Sequence, residues 1–585
     1  MPRFAGAAER RAIIRPFYLS VSPQPHDTLG RQPGLTVRLA ASSLVLFVVL
    51  FWRLGAPSFW DPDEAHYAET TRELITTGDW LAPYYNDQPF FDKPILFHWL
   101  QAIPMTIAGP TELAARLVPA LAALALVGVT AWVGLALLSA DVAIVAALLL
   151  ATSPAVFALA RYAILDTVFT AFVVGGAGLV SVAALDRRPR LQWPGYVLIA
   201  LAVLTKGPVA LVLCGLAFGL AILCSEGARR RLLELRLLSG VALIAVLSAP
   251  WFLYMYVRFR DAFVAGYLLE ENIHLFATDR FRPTASNSVW FYFRVLGAGL
   301  LPWTALLIGR LYDDLRAAVR RDGSLDEVDV LLWSWTCAIV GFFTVSRFKL
   351  DHYVFPVAPA LCLICARAWI ALRQHPLDPR NAGARIGLHL IGPLMVLAAI
   401  AGGYMIVART ALPLVALLVP VAMGVAGVSV IAGISLRGGR PPRVPWIVLG
   451  AMTITYGGLV LWALPALERQ KVVPDVARWV AGRAAGNDRV ASYRLNRWST
   501  SFRFYVGRHV SIIEIEKKDE AQALLTGPEP FYCAMLGTAY SEFVAQGLPL
   551  RLVYEREGMW ATSGRALWGG PGPPTRFVVV TNVQH

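Results

Sequence analysis

Apolar runs of roughly bilayer length recur along the chain from Thr36 to Leu464, each closed by a short polar or basic linker. They predict about thirteen membrane-spanning helices. The runs lie near residues 36–54, 112–138, 141–160, 167–185, 193–204, 208–224, 238–256, 292–309, 330–345, 353–372, 384–407, 413–434 and 443–464. The run at 193–204 is short, as suits a site-lining or partly buried helix. From about Glu468 the pattern becomes that of a soluble protein. Arg489–Tyr493, Val510–Ile515, Phe531–Met535 and Phe577–Thr581 read as strands, while Asp519–Leu525 and Gly537–Gln546 read as helices. The pattern gives a polytopic α-helical membrane protein. It has an N-terminal segment at 1–35, a transmembrane domain at 36–464 and a small C-terminal α/β domain at 465–585.

Composition agrees: 57% of the 585 residues are hydrophobic and 16% are charged, against about a quarter charged in soluble proteins. The net charge of +14 has a topological explanation. Arg10, Arg11 and Arg15 precede the first run, and further arginines cluster at 187–188, 229–231, 316–321, 373–385 and 437–443, all in linkers between apolar runs. An N-terminus inside the cell places every cluster on the cytoplasmic side, as the positive-inside rule requires. No basic groove or recognition motif accompanies the charge, so nucleic acid is not an expected partner. Segments 55–110, 161–166, 205–207, 257–291, 346–352 and 465–585 then share the outer face. Loop 257–291 is rich in aromatic residues and arginine, as segments at a headgroup interface are. Trp251, Phe252, Tyr254, Tyr256, Trp290, Phe291 and Tyr292 are expected to form an aromatic belt rather than a groove for lipid.

Five of the six cysteines fall in apolar runs, and Cys533 stands alone in the tail, so no disulfide is expected there. Cys362 and Cys365 have CxxC spacing but lie in an apolar helix without nearby His or acids. No cleavable signal is expected at the N-terminus.

The polar chemistry concentrates in the outer segments. Asp61-Pro62-Asp63-Glu64 follows the first run, and Asp92-Lys93-Pro94 adds an acid beside a cation. Helix capping accounts for much of the first motif: Asp61 as N-cap, Pro62 as first helical residue and Glu64 as capping-box partner, with the helix stopping at Gly78. Asp63 is left without a structural task. Lys206 interrupts an apolar stretch beside a Gly-Pro turn, where it needs an anionic partner or must reach water. Arg161 and Asp166 flank a short loop and are placed to pair with one another.

The string Trp60–Glu69, with Arg72-Glu73-Leu74 and Gly78-Asp79-Trp80, resembles the first outer loop of GT-C glycosyltransferases. The likeness is above all to the lipid A aminoarabinose transferase group, related to protein O-mannosyltransferases. It continues through Asn86, Pro89, Phe91–Pro94 and His98-Trp99-Leu100. Later come Ala160-Arg161 with Asp166, Leu204–Pro208, Pro302-Trp303, and Lys349–Tyr353 with Pro356. The matching stretch covers about residues 40–365, in the same order. The resemblance implies an inverting enzyme at the inner membrane that moves a sugar from a polyprenyl (undecaprenyl) phosphate donor to an envelope lipid or glycan. It makes Asp63 the catalytic acid of the first loop, with Glu64 and Asp166 beside it. Lys93, Lys206, Arg347 and Lys349 become ligands of the donor phosphate, and Arg161 and Tyr353 acceptor or supporting residues.

Two departures qualify the likeness. His66 stands where members often carry an arginine for the donor phosphate, and Asp92-Lys93 stands where many have Glu-Lys. Some members bind a divalent ion with an acid there and a later histidine, and Asp92 with His274 imitates that pair. A protein serine or threonine is an alternative acceptor. A lipid-linked sugar transporter is a different class of reading; it predicts inverted repeats or broken helices in corresponding halves, and the sequence shows neither.

Overall fold

The computed structural model describes residues 44–277, 288–320, 325–408, 412–436, 443–495, 499–558 and 575–583. Packing divides the chain into Met1–Val45 and Leu46–His585, and the architecture belongs to the second unit. The N-terminal segment 1–35, most of the arginines at 437–443 and part of loop 257–291 lie outside the described residues.

Among the described residues, eight helices are long and apolar enough to cross a membrane: 112–137, 166–185, 237–259, 327–345, 351–374, 379–408, 414–435 and 444–468. Ala140–Ala151 and Pro154–Ala160 make a ninth crossing if taken together, bent by 61°. The bend falls where Ser153 caps the second segment by accepting from Val156 N–H at 3.4 Å, with Pro154 in its first turn. The chain is a multi-pass membrane protein, and its described residues hold fewer full-length spans than the apolar runs suggest. Gln192–Lys206 and Val209–Cys224 have 15 and 16 residues, about 23 Å of helix against a hydrocarbon core of roughly 30 Å. The run at 292–309 breaks into Phe291–Gly299 and Thr304–Arg320, and the second piece buries Asp313 and Asp314. Small residues let helices approach closely: Ala305 and Gly309 meet Gly383 and Gly387 backbone to backbone, as small-xxx-small pairs do in membranes.

The site rests on six helices. The first outer loop forms α1 (Asp63–Thr77), a two-residue hairpin β1 (Tyr84–Tyr85) and β2 (Gln88–Pro89), and α2 (Leu96–Ala108). Helices α3 (Glu112–Leu137), α4 (Asp166–Leu185) and α5 (Gln192–Lys206) follow, and α6 (Ser499–Val506) lies in the C-terminal region. There β3 (Arg489–Tyr493), β4 (Ser511–Ile513), β5 (Phe531–Leu536), β6 (Arg551–Gly558) and β7 (Thr575–Thr581) make one sheet of order β4-β3-β5-β7-β6. The β3 pairings to β4 and β5 are parallel, and those of β7 to β5 and β6 are antiparallel. Alternating side chains of the central strands face opposite cores: Val490, Tyr532 and Val579 pack with Phe502 and Val480, whereas Ala491, Cys533 and Val580 pack with Leu524 and Phe543.

Candidate active site

Helix α1 organises the site. It buries Ala65, Ala68 and Leu74 and ends at Gly78, whose φ of +71° suits glycine and whose N–H reaches Leu74 O at 3.2 Å. At about 100° per residue, Asp63, Tyr67, Thr70 and Leu74 share a face, Glu64 and Thr71 turn one way, and His66, Glu69 and Glu73 turn the other. Each flank is tied to a different element. Glu64 Oε1 and Oε2 each accept from Arg116 of α3 at 2.7 Å, and they also accept from Ala163 N–H (2.8 Å) and Trp60 N–H (2.9 Å). Thr71 Oγ1 bonds His98 Nδ1 at 2.8 Å and donates to Gln101 Oε1 at 2.6 Å, both on α2. On the opposite flank Arg503 of α6 donates to Glu69 at 2.8 Å and to Glu73 at 2.7 Å and 3.1 Å. Glu73 also accepts from Asn86 and Asp87 N–H at the tip of the β1–β2 hairpin.

Capping therefore does not explain the Asp61–Glu64 motif. Helix α1 starts at Asp63 without a side-chain cap. The Asp61 carboxylate turns to the C-terminal region, where it accepts from Ser501 N–H at 2.9 Å and bonds Ser501 Oγ. Beside it Lys471 donates to Ser58 O at 2.8 Å, and Phe504 packs edge-on against Phe59 at 4.8 Å. Glu64, expected beside Asp63 as a catalytic acid, spends both oxygens on buried partners and positions α1 instead.

The remaining face of α1 meets the first turn of α4, the α5 turn and residues 352–353. Tyr162 Oη donates to Asp63 Oδ2 at 3.4 Å. Burial raises the Asp63 carboxyl above the ordinary aspartate range, partly offset by His352 and His66. Asp166, the first residue of α4, binds Lys206 Nζ, the last residue of α5, and lies 3.6 Å from His352 Nε2. The Lys206 ammonium sits 4.4 Å from the centre of the Tyr353 ring. The phenol of Tyr67 is pushed well above its ordinary value, first by burial and then by the negative charges of Asp166, Asp63 and Asp92 around it. Burial pushes His66 down to about 4, among the charges of Asp63, Glu271, Glu73 and Lys93, so its ring is neutral near pH 7. The buried His66 Nε2 has no hydrogen-bond partner. Lys93 Nζ donates to Glu271 Oε2 at 3.1 Å, closing the group from the π-helical segment Val264–His274.

Asp63, Lys93, Asp166, Lys206, His66 and Tyr353 thus come together. Arg347 and Lys349 lie in the adjoining turn, which is held to residue 276 by Arg347 N–H to Phe276 O at 3.0 Å, and Lys349 donates to Ser346 O at 2.6 Å. The expected Arg161–Asp166 pair does not form. Arg161 donates to Trp52 O at 2.9 Å and covers Phe157, leaving Asp166 to Lys206 and His352. His274 sits 3.3 Å from Glu270. No group of three or more His, Cys, Asp or Glu side chains suited to a metal ion occurs among the described residues, and Asp92 with His274 makes none. Trp251 and Tyr292 are buried rather than part of an aromatic belt, Trp251 donating to Leu81 O at 2.9 Å; Tyr256 and Trp290 are exposed. Sequence reasoning missed His352, although it lies inside the quoted Lys349–Tyr353 string. It also missed Tyr162, Glu271 and the docking residues Ser501 and Arg503, for which the sequence carries no local signal.

Residues 92–254 match the family model described as dolichyl-phosphate-mannose-protein mannosyltransferase. Over 337 residues the chain is 32% identical to the undecaprenyl phosphate-alpha-4-amino-4-deoxy-L-arabinose arabinosyl transferase of Pectobacterium carotovorum, covering 56% of this chain and 58% of that one. The protein of the same description from Aeromonas salmonicida is 30% identical over 350 residues, covering 58% of this chain and 61% of that one. The chain therefore spans less than two thirds of the length of these curated relatives. The crystal structure of ArnT from Cupriavidus metallidurans bound to undecaprenyl phosphate has the same fold, with a TM-score of 0.71 and 22% identity over 95% of this chain and 99% of that one. The chain is thus similar in sequence, over part of its length, to the undecaprenyl phosphate-aminoarabinose transferases and to the dolichyl-phosphate-mannose-protein mannosyltransferase model, and it has the fold of the ArnT structure.

Proposed function

We propose that the protein is an inverting glycosyltransferase that moves a sugar from undecaprenyl phosphate to a lipid or glycan of the envelope, on the outer face of the inner membrane. The observation that carries this reading is the convergence of Asp63, Lys93, Asp166 and Lys206 from three outer segments. The described parts of the segments assigned to the outer face supply the whole group, and the bonds of Arg503 to Glu69 and Glu73 support the same side for the C-terminal region. The runs at 141–160, 193–204, 208–224 and 292–309 then complete the path as short, bent or broken passages, beside the run at 36–54, part of which lies outside the described residues.

In this reading the acceptor oxygen attacks the anomeric carbon as the bond to the phosphate oxygen breaks, which inverts that carbon in one displacement. Where the acceptor is a hydroxyl, its proton passes to the Asp63 carboxylate, whose raised pKa makes it a better base. Where the acceptor is a phosphate, Asp63 orients it and stabilises positive charge growing on the sugar. The leaving polyprenyl phosphate gains negative charge, so cations near its oxygens favour the transition state over the ground state. Lys93 faces that task directly, with Arg347 and Lys349 in the adjoining turn and neutral His66 able to donate from Nε2. Lys206 and His352 hold Asp166, and the Tyr353 ring covers Lys206. Arg161 supports the loop through Trp52. The names of the relatives favour 4-amino-4-deoxy-L-arabinose as the donor sugar, and the resemblance of the first outer loop favours a lipid A acceptor. The match at 92–254 to the mannosyltransferase model keeps a protein hydroxyl as the second reading.

The test is transfer by the purified protein in lipid nanodiscs from undecaprenyl phosphate-aminoarabinose to lipid A, with the product's anomeric configuration read by NMR. Transfer with inversion supports the proposal, and retention or translocation of intact donor without transfer contradicts it.

A further inference from the structure

Two lysines of the site are already neutralised, but in different ways. Lys206 and Asp166 form a closed pair, their side chains 9% and 6% exposed. Lys93 and Glu271 are 16% and 17% exposed, close enough to solvent for the pair to open. Glu271 comes from the Val264–His274 segment, whose Tyr267 is buried against Phe263 and Phe252 while Leu268, Leu269 and Ile273 are exposed, as befits a segment lying on a membrane. A phosphate arriving at Lys93 must therefore compete with a carboxylate and then remain beside it.

We propose that Glu271 is a specificity-determining residue that separates donor from product by charge at Lys93. The proposal rests on the reading of Lys93 as a ligand of the donor phosphate. The donor is a phosphodiester with one negative charge. The product is a phosphomonoester, which carries close to two above its second pKa of about 6. Repulsion by a fixed carboxylate grows in proportion to the charge of the ligand. Glu271 therefore weakens the product's binding by about twice the free energy that it takes from the donor. When transfer converts diester to monoester, Glu271 returns to Lys93 and helps to expel the product.

The proportionality gives a test with a number in it. Full-length protein in nanodiscs is titrated at pH 8 and fixed ionic strength with undecaprenyl phosphate and with its methyl phosphodiester, which holds no transferable sugar. In Glu271→Gln both ligands bind more tightly, and the monoester gains about the square of the diester's factor: about ninefold where the diester gains about threefold. Glu271→Asp, which keeps the charge, retains the wild-type ratio of the two affinities. Equal gains for both ligands, or weaker binding of both, would overturn the proposal. Lys93→Ala separates the two levels of the argument. If Glu271→Gln shifts the ratio as stated and Lys93→Ala weakens both ligands, both readings stand. If Lys93→Ala leaves both affinities unchanged, the phosphate reading of Lys93 fails and the proposal falls with it.

Discussion

Arg503 Nη2 donates to Glu73 Oε1 across 2.7 Å, although the residues stand 430 positions apart. Arg503 is 2% exposed and also binds Glu69, so a single guanidinium joins the C-terminal region to the helix that begins at Asp63. Arg503→Ala takes the shared cation from two buried carboxylates but leaves Glu69 to Arg72 and Glu73 to the Asn86 and Asp87 N–H groups. The loss therefore falls at the low end of the roughly 3–5 kcal/mol that breaking a buried pair costs. A drop in thermal stability with faster proteolysis of residues 465–585 is the expected result. Arg503→Lys recovers part of the loss, because an ammonium lacks the planar fork. Unchanged stability in Arg503→Ala would show that the contact does not hold the two parts together.

Glu64 separates two readings cleanly. A reacting acid replaced by its amide leaves the fold intact and removes turnover. The structure instead expects Glu64→Gln to strand the buried Arg116 charge and to destabilise the protein by about 3–5 kcal/mol. Comparing melting temperature with turnover in Glu64→Gln decides the matter: a normal melting temperature with lost transfer returns Glu64 to the reacting groups.

Burial raises the Asp61 carboxyl to about 7, against the pull of Ser501 and Lys471. An acid whose pKa is higher folded than unfolded binds its proton more tightly in the folded state between about pH 4 and 7. Its contribution to stability is therefore full below pH 4 and falls as pH rises through that window. The slope is at most about 1.4 kcal/mol per pH unit. Asp61→Asn, which keeps the bonds to Ser501 without a charge, flattens this part of the stability profile. Identical profiles for wild type and Asp61→Asn between pH 4 and 7 would contradict the assignment.

His352 lies 3.6 Å from Asp166 and acts electrostatically on Asp63, so it links the two acids. His352→Asn is expected to lower kcat with little change in donor KM, because the residue lies beside Asp166 and acts on Asp63 through its charge. Steady-state kinetics against donor concentration check this, and a change confined to KM would move His352 to the donor side.

Much of the architecture could be read from periodicity, because membrane helices need long apolar runs. Span length was harder to read. Gln192–Lys206 carries an apolar run but stops at Lys206, which is held by Asp166. The charges Asp63, Lys93, Asp166 and Lys206 could be picked out as polar residues out of place beside apolar segments. Their partners could not. Glu271 and Arg503 are ordinary charges in polar stretches, and only tertiary packing brings them to Lys93 and Glu73. The same reason misled the local reading of Asp61, whose spacing fits a cap but whose carboxylate is claimed by Ser501, 440 residues away.

In the proposed reaction Asp63 acts on the reacting atoms while Lys93 holds the phosphate. Single-turnover transfer by Asp63→Asn, with donor pre-bound and binding measured separately, checks this division of labour. The predicted result is donor affinity close to wild type with transfer slowed by about 10²–10⁴-fold. Transfer at the wild-type rate in folded, donor-loaded Asp63→Asn protein would contradict it.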